Sequence, residues 1–156
     1  MSAIIQGYQL RTIAFGVQIT KAAQNLPQTA TATLATVAGG SVLVTSMIGV
    51  VSTAIQNQAC NLSLGTVPTT GTASSTGLAA VASISNKEVG TMIVPLVSAG
   101  VGGTLVVGAN AGASVFLPTP FVVSAGTISW TTSASNTGQM KWYFTYVPLD
   151  NGAALS

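Results

Sequence analysis

Histidine is absent, and charged side chains make up only 4% of the chain, against about a quarter in ordinary soluble domains. The cations are Arg11, Lys21, Lys87 and Lys141; the acids are Glu88 and Asp150. Cysteine occurs once, at Cys60, and aromatic residues contribute 6%. Each shortage excludes something. Without histidine, acid–base catalysis must rest on carboxylates, and Glu88 and Asp150 are the only two. Glu88 stands beside Lys87 in a polar turn and reads as a solvated ion. Asp150, after Pro148 and Leu149, reads as a turn or capping residue. A glycosidase pair would need a defined carboxylate separation, and no motif supports one here. A serine nucleophile would need a lysine base, yet no Ser-x-x-Lys pattern occurs. Metal ligation lacks any cluster of Asp, Glu, His or Cys in the sequence. The run Gly100-Val101-Gly102-Gly103 lacks the Gly-Lys-Ser/Thr that ends a phosphate-binding loop. The expectation is therefore no enzyme, no cofactor, no metal and no small-molecule substrate.

A lone cysteine gives neither a disulfide framework nor a metal-ligand pair. Its neighbours Gln58, Ala59, Asn61 and Leu62 supply no cation to activate a thiolate, so Cys60 reads as a small buried apolar residue. The formal charge of +2 is scattered along the chain. A phosphate-binding surface needs cations clustered on one face, so no direct nucleic-acid contact is expected. The chain is uncharged from Ala22 to Asn86 and from Val89 to Met140, which raises the question of a membrane. The window Leu34–Ile55 has the length of a helical span, but it holds Gly39-Gly40 and many β-branched residues and lacks positive flanks. The window Thr91–Ala109 carries Pro95 and four glycines. Both read better as consecutive strands broken at glycine. Too few aromatics are present for the girdles of an outer-membrane barrel, and the opening Met1–Gln6 has no charged region before an apolar stretch, as a signal peptide would.

What is present is 48% apolar residue with Thr, Ser, Asn, Gln and Gly as the polar remainder. A surface of hydroxyls and amides loses little on desolvation, because few ions must give up their water. Such a surface suits a subunit buried in an assembly.

Residues 1–30 read as an extended N-terminal arm, with room for one short strand over Arg11–Ile19; a first strand tucked into its own domain is the competing reading. Residues 31–156 read as one β-domain. Thr31–Val37 and the bent run Ser41–Ile55 are strand-like. Cys60–Thr66 alternates, with Leu62 and Leu64 on one face and Asn61 and Ser63 on the other. Val67–Gly77 has loop composition. Leu78, Ala80, Ala82 and Ile84 fall in phase, and Asn86–Glu88 is a polar turn. Thr91–Val97 and Thr104–Val107 are apolar runs, and Leu117–Pro120 is an extended connector to Phe121–Ser124. Thr127–Thr132 alternates, with Ile128 and Trp130 opposite Thr127, Ser129 and Thr131. Gln139–Val147 alternates with Met140, Trp142, Phe144 and Tyr146 on one face and stops at Pro148. The intervening SASNTG reads as a hairpin loop that pairs these two strands and brings Trp130 near Trp142 and Phe144. Lys141 reads as a solvated edge or face residue. No stretch has the three-and-four spacing of a helix. Eight or nine strands at this spacing predict an all-β fold, a single jelly-roll-like β-sandwich.

Two stretches carry a resemblance. Gly126–Ala153, GTISWTTSASNTGQMKWYFTYVPLDNGA, and Ala38–Gly49, AGGSVLVTSMIG, resemble segments of small virion proteins of tailed bacteriophages, most of all capsid decoration (cement) proteins. The resemblance covers about a third of the chain and brings no catalytic motif. It implies a structural protein on the outer capsid surface, a homotrimer whose partners are itself and the major capsid protein. A tail, neck or fibre protein is the first alternative. A carbohydrate-binding sandwich using Trp130, Trp142, Tyr143 or Tyr146 as stacking platforms is the second. In that case Tyr143 is the better exposed candidate, since Trp142 and Tyr146 lie in the apolar row.

Overall fold

The computed structural model describes residues 6–98, 101–108 and 119–156. They form one helix, α1 (Gly7–Phe15), and eleven strands: β1 (Val17–Asn25), β2 (Thr31–Ala38), β3 (Val42–Thr53), β4 (Asn61–Pro68), β5 (Ser74–Ser83), β6 (Met92–Ser98), β7 (Val101–Val107), β8 (Phe121–Val123), β9 (Gly126–Thr132), β10 (Gln139–Pro148) and β11 (Ala154–Leu155). The fold is all-β in character, as the alternating runs predicted. Two antiparallel sheets face each other. One has the order β1-β10-β3-β6-β7, with β8 also on β3; the other has the order β11-β2-β9-β4-β5. β5 and β7, at the same end of the two sheets, pack together and close that side.

The core lies between the sheets and follows from period-two alternation. Met140, Trp142, Phe144 and Tyr146 of β10 point inward, as do Val42, Val44, Met47 and Val51 of β3. From the opposite sheet come Leu34, Val37, Leu62, Leu64, Ile128 and Trp130. Trp130 meets Trp142 edge to face, with ring centroids 6.0 Å apart and planes at 90°. That is the arrangement the aromatic quadrupole favours. Trp142 lies opposite Gly49 in the β10–β3 ladder, and a Cβ on Gly49 would come within 2.9 Å of its ring. The glycine makes room for the indole.

The pairing of the last two long strands differs from expectation. β9 pairs with β2 and β4, whereas β10 pairs with β1 and β3. SASNTG is therefore a crossing between sheets, and Trp130 reaches Trp142 across the core. Alternation fixes which face a residue takes but is silent on its ladder partner. Of the two readings of the first thirty residues, the strand pairing agrees with the tucked-in one. Val17–Asn25 is an edge strand paired with β10, so it belongs to the same body as the rest and is no free arm. Gly7–Phe15 is helical where a strand was expected to begin. The Gln6 N–H donates to Gln9 Oε1 at 2.8 Å, half of a capping box. Met1–Ile5 lie outside the described residues, as do Gly100 of the glycine run and Leu117–Pro118 of the connector.

Smaller departures have local causes. β5 begins at Ser74, inside the expected loop, because Ser74 pairs with Thr66. Leu78 and Ala79 are both buried while Ala80 is exposed, since the β4–β5 register shifts between Leu62 and Leu64 and a bulge inverts the phase. The AGGS and PLDN segments meet: Ser41 N–H donates to Asp150 Oδ2 at 2.6 Å, and Leu149 N–H donates to Ser41 O at 3.0 Å. Gly40, with φ +140°, leaves no room for a Cβ, which would lie 2.5 Å from the Asp150 Cβ.

Replacing either tryptophan by alanine should cost about 3–5 kcal/mol in denaturant unfolding. The double variant should lose less than the sum, because the rings share one contact; strict additivity would show that they do not meet.

Candidate interaction surfaces

The two outer sheet faces differ in chemistry. On the β2-β9-β4 face, cross-strand register places Thr31, Thr131 and Ser63 in one row, Thr33, Ser129 and Gly65 in the next, and Thr36, Thr127 and Val67 in a third. Thr31 and Thr131 share a hydroxyl–hydroxyl hydrogen bond of 2.7 Å. Ser129 Oγ is buried without a partner among the described residues. These rows are uncharged and short-chained; Thr31, Thr33 and Thr36 are exposed, while Ser63, Gly65 and Ser129 are already buried. On the β1-β10-β3-β6 face, Lys141 aligns with Val50 and Met92, and Tyr143 aligns with Thr20 and Ile48. It is more apolar and carries one cation. The Lys141 ammonium sits 5.0 Å above the Tyr143 ring, a cation–π contact within a single strand face. Lys141 is thus on the face of an interior strand. The lysine on the edge is Lys21, whose register opposite Trp142 turns it towards the inner side, a common guard against stray strand pairing.

The structure separates the aromatic candidates. Trp130 and Trp142 are at most 1% exposed and Tyr146 is 6% exposed, so none can stack on a sugar. Tyr143 is half-buried and has Lys141 over it. Glu88 and Asp150 are both exposed and sit in turns: Glu88 O accepts from Thr91 N–H, while the Asp150 carboxylate holds Ser41. Among the described residues no group of three His, Cys, Asp or Glu gathers, and no helix is long and apolar enough to cross a membrane.

The clefts are open and modest. One of about 460 Å³ lies between α1 and the sheet, bordered by Arg11, Thr12, Phe15, Gln18 and Thr145. A second of about 380 Å³ is lined by Asn25, Gln28, Asn136, Thr137 and Gly138. Its amides serve the fold: Gln28 Nε2 donates to Leu26 O and Asn136 O, and Asn136 Nδ2 donates to Gln56 O and Gln58 O. The crossing loop is thereby tied down, and Thr132 Oγ1 donates to Pro27 O beneath it. Sequence reading missed α1 as a surface element, although Leu10, Ile13 and Ala14 already carry the three-and-four spacing.

No protein-family model matches the chain, and no curated protein or solved structure shows significant similarity to it.

Cys60 is buried and donates to Ala134 O at 3.3 Å. Burial pushes its thiol up from the ordinary 9.0, outweighing the hydrogen bonds with Ala134 and Asn136 that pull it down. The folded state therefore favours the neutral thiol. This contribution to stability is complete below the ordinary value and is lost as pH rises above it. A thiol reagent at neutral pH should label the native protein at least about a hundredfold more slowly than the unfolded chain. Equal rates would place Cys60 at the surface.

Proposed function

We propose that this chain is a non-enzymatic structural subunit of a bacteriophage virion, which decorates the outer capsid surface and stabilises it through contacts with the major capsid protein and with copies of itself. The observation that carries this reading is the strand order. β1, β10, β3, β6, β7 and β8 lie in one sheet and β11, β2, β9, β4 and β5 in the other, so the chain crosses between the sheets at most connections, β4–β5 and β6–β7–β8 being the exceptions. The late strands β9 and β10 insert between early ones. We read this wrapping as jelly-roll-like, an architecture common in viral shells and also in lectins. The resemblance of Ala38–Gly49 and Gly126–Ala153 to cement proteins favours the shell.

The surface chemistry supports the same reading. A hydroxyl-covered face with no charge can be buried against a neighbour at small desolvation cost, and a surface so poor in ions suits a chain that spends its working life assembled. A protein that binds only the expanded lattice stabilises that lattice by mass action. Many copies, each contributing a little, reinforce one another. Direct nucleic-acid binding, membrane insertion and small-molecule chemistry have no part in the proposal. The glycan-binding alternative is left with Tyr143 alone, under Lys141.

Copy number in purified particles tests the assignment. Hundreds of chains per particle are expected of a shell protein, by the ordinary geometry of symmetric assemblies. A few to a few dozen copies would move the protein to the tail or neck, and its absence from particles would overturn the virion reading.

A further inference from the structure

We propose that Asn151 is a site of spontaneous self-modification. Its side chain cyclises onto the backbone nitrogen of Gly152, loses ammonia, and opens with water to aspartate and isoaspartate. The isoaspartyl product then loosens β11 from β2. This chemistry does not depend on a virion role.

Of the seven asparagines in the chain, only Asn151 is followed by glycine. Ring closure brings the next backbone nitrogen onto the side-chain carbonyl carbon. A Cβ on that next residue would crowd the approach and restrict the backbone rotation it requires, and glycine has none. Both residues are exposed in the turn between β10 and β11, and a Cβ at Gly152 would meet nothing within 4 Å. The bond that closes the turn runs from Ala153 N–H to Asp150 O at 3.0 Å, so its donor is not the reacting nitrogen. A turn so exposed and so lightly held opens locally at small cost. The other asparagines are placed differently. Asn25 and Asn61 precede the buried Leu26 and Leu62, and Asn136 is itself buried and holds the carbonyls of Gln56 and Gln58.

The step balances with water alone. Gly152 N gives up its proton and bonds to Asn151 Cγ; the Cγ–Nδ2 bond breaks, and the side-chain nitrogen takes a proton and leaves as ammonia. One water then opens the cyclic imide. Cleavage at the side-chain carbonyl gives aspartate, whereas cleavage at the backbone carbonyl leaves the main chain running through Cγ, as isoaspartate. That second product adds a methylene to the main chain where there is little slack. On one side the Asp150 carboxylate holds Ser41 N–H. On the other, the backbone of Gly39 lies against the Gly152 carbonyl, Ala153 is buried, and Thr36 and Ser156 exchange backbone hydrogen bonds of 2.8 and 2.9 Å. β11 itself is only two residues long, so its pairing is the contact that yields.

The test follows the purified full chain during incubation at neutral and mildly alkaline pH, with Asn151→Gln alongside. Cleavage after Lys141 frees residues 142–156, in which Asn151 is the only amide side chain. A gain of about one dalton in that fragment, relative to fresh protein, therefore reports this site alone. The gain should appear there at least about tenfold faster than in the fragments that carry the other asparagines. It should quicken about tenfold per pH unit, as the fraction of deprotonated amide does, and resolve into two products of equal mass. Asn151→Gln, whose longer side chain closes a ring far less readily, should show none. Amide hydrogen exchange at Thr36 and Ser156 should be at least about tenfold faster in aged than in fresh wild type, and unchanged by ageing in Asn151→Gln. A fragment 142–156 that keeps its mass at both pH values, or gains no faster than the others, would overturn the site. A gain in mass without faster exchange would overturn the effect on β11.

Discussion

The edge-to-face contact of Trp130 and Trp142 is the constraint on which the rest of the structure depends. Each indole comes from a strand near the middle of its sheet, and together they set how the two layers face each other. Gly49 opposite Trp142 follows from that contact, because only a missing side chain leaves space for the ring. Both indole N–H groups are buried without a partner among the described residues, which for an unpaired group costs of order 1–3 kcal/mol. The core accepts this in exchange for large apolar area in a chain with few aromatics to spend. Around the pair, the inward residues of β2, β3, β4, β9 and β10 close one apolar layer.

With the core so filled, the surfaces are left to hydroxyls, amides and scattered aliphatics. The near absence of ions distinguishes this surface from that of an ordinary free-standing domain. Turns are held by neutral or singly charged hydrogen bonds: Asp150 to Ser41, Gln28 and Asn136 to backbone carbonyls, Gln139 Nε2 to Asn25 Oδ1. The outer faces then offer little charge either to attract a polyanion or to resist burial. That balance is what the proposed assembly role rests on.

Much of the sheet content was legible in the residues. The rows Ile128–Trp130 and Met140–Trp142–Phe144–Tyr146 announce strands and their inner faces, because a period of two can be met in no other regular structure. Their partners were not legible. A hairpin and a sheet-to-sheet crossing need the same polar loop, and SASNTG serves equally for either. The phase of β5 was hidden by a bulge that leaves no mark in composition. The helix was hidden by its brevity, since nine residues carry only one repeat of Leu10, Ile13 and Ala14. Of the surface residues, the core place of Trp142 and Tyr146 could be read from their row. The cover of Lys141 over Tyr143 follows from two-residue spacing once the strand is known. The guarding role of Lys21 depends on β1 being an edge, which only the sheet order reveals.

The central claim, that this chain stabilises a shell by binding it, is tested most directly with shells that lack it. Purified protein would be added to such shells while the temperature at which they open is followed. Binding to the closed lattice alone should raise that temperature and then level off at a fixed number of chains per shell, as mass action requires. An opening temperature unchanged at every concentration of added protein would contradict the account.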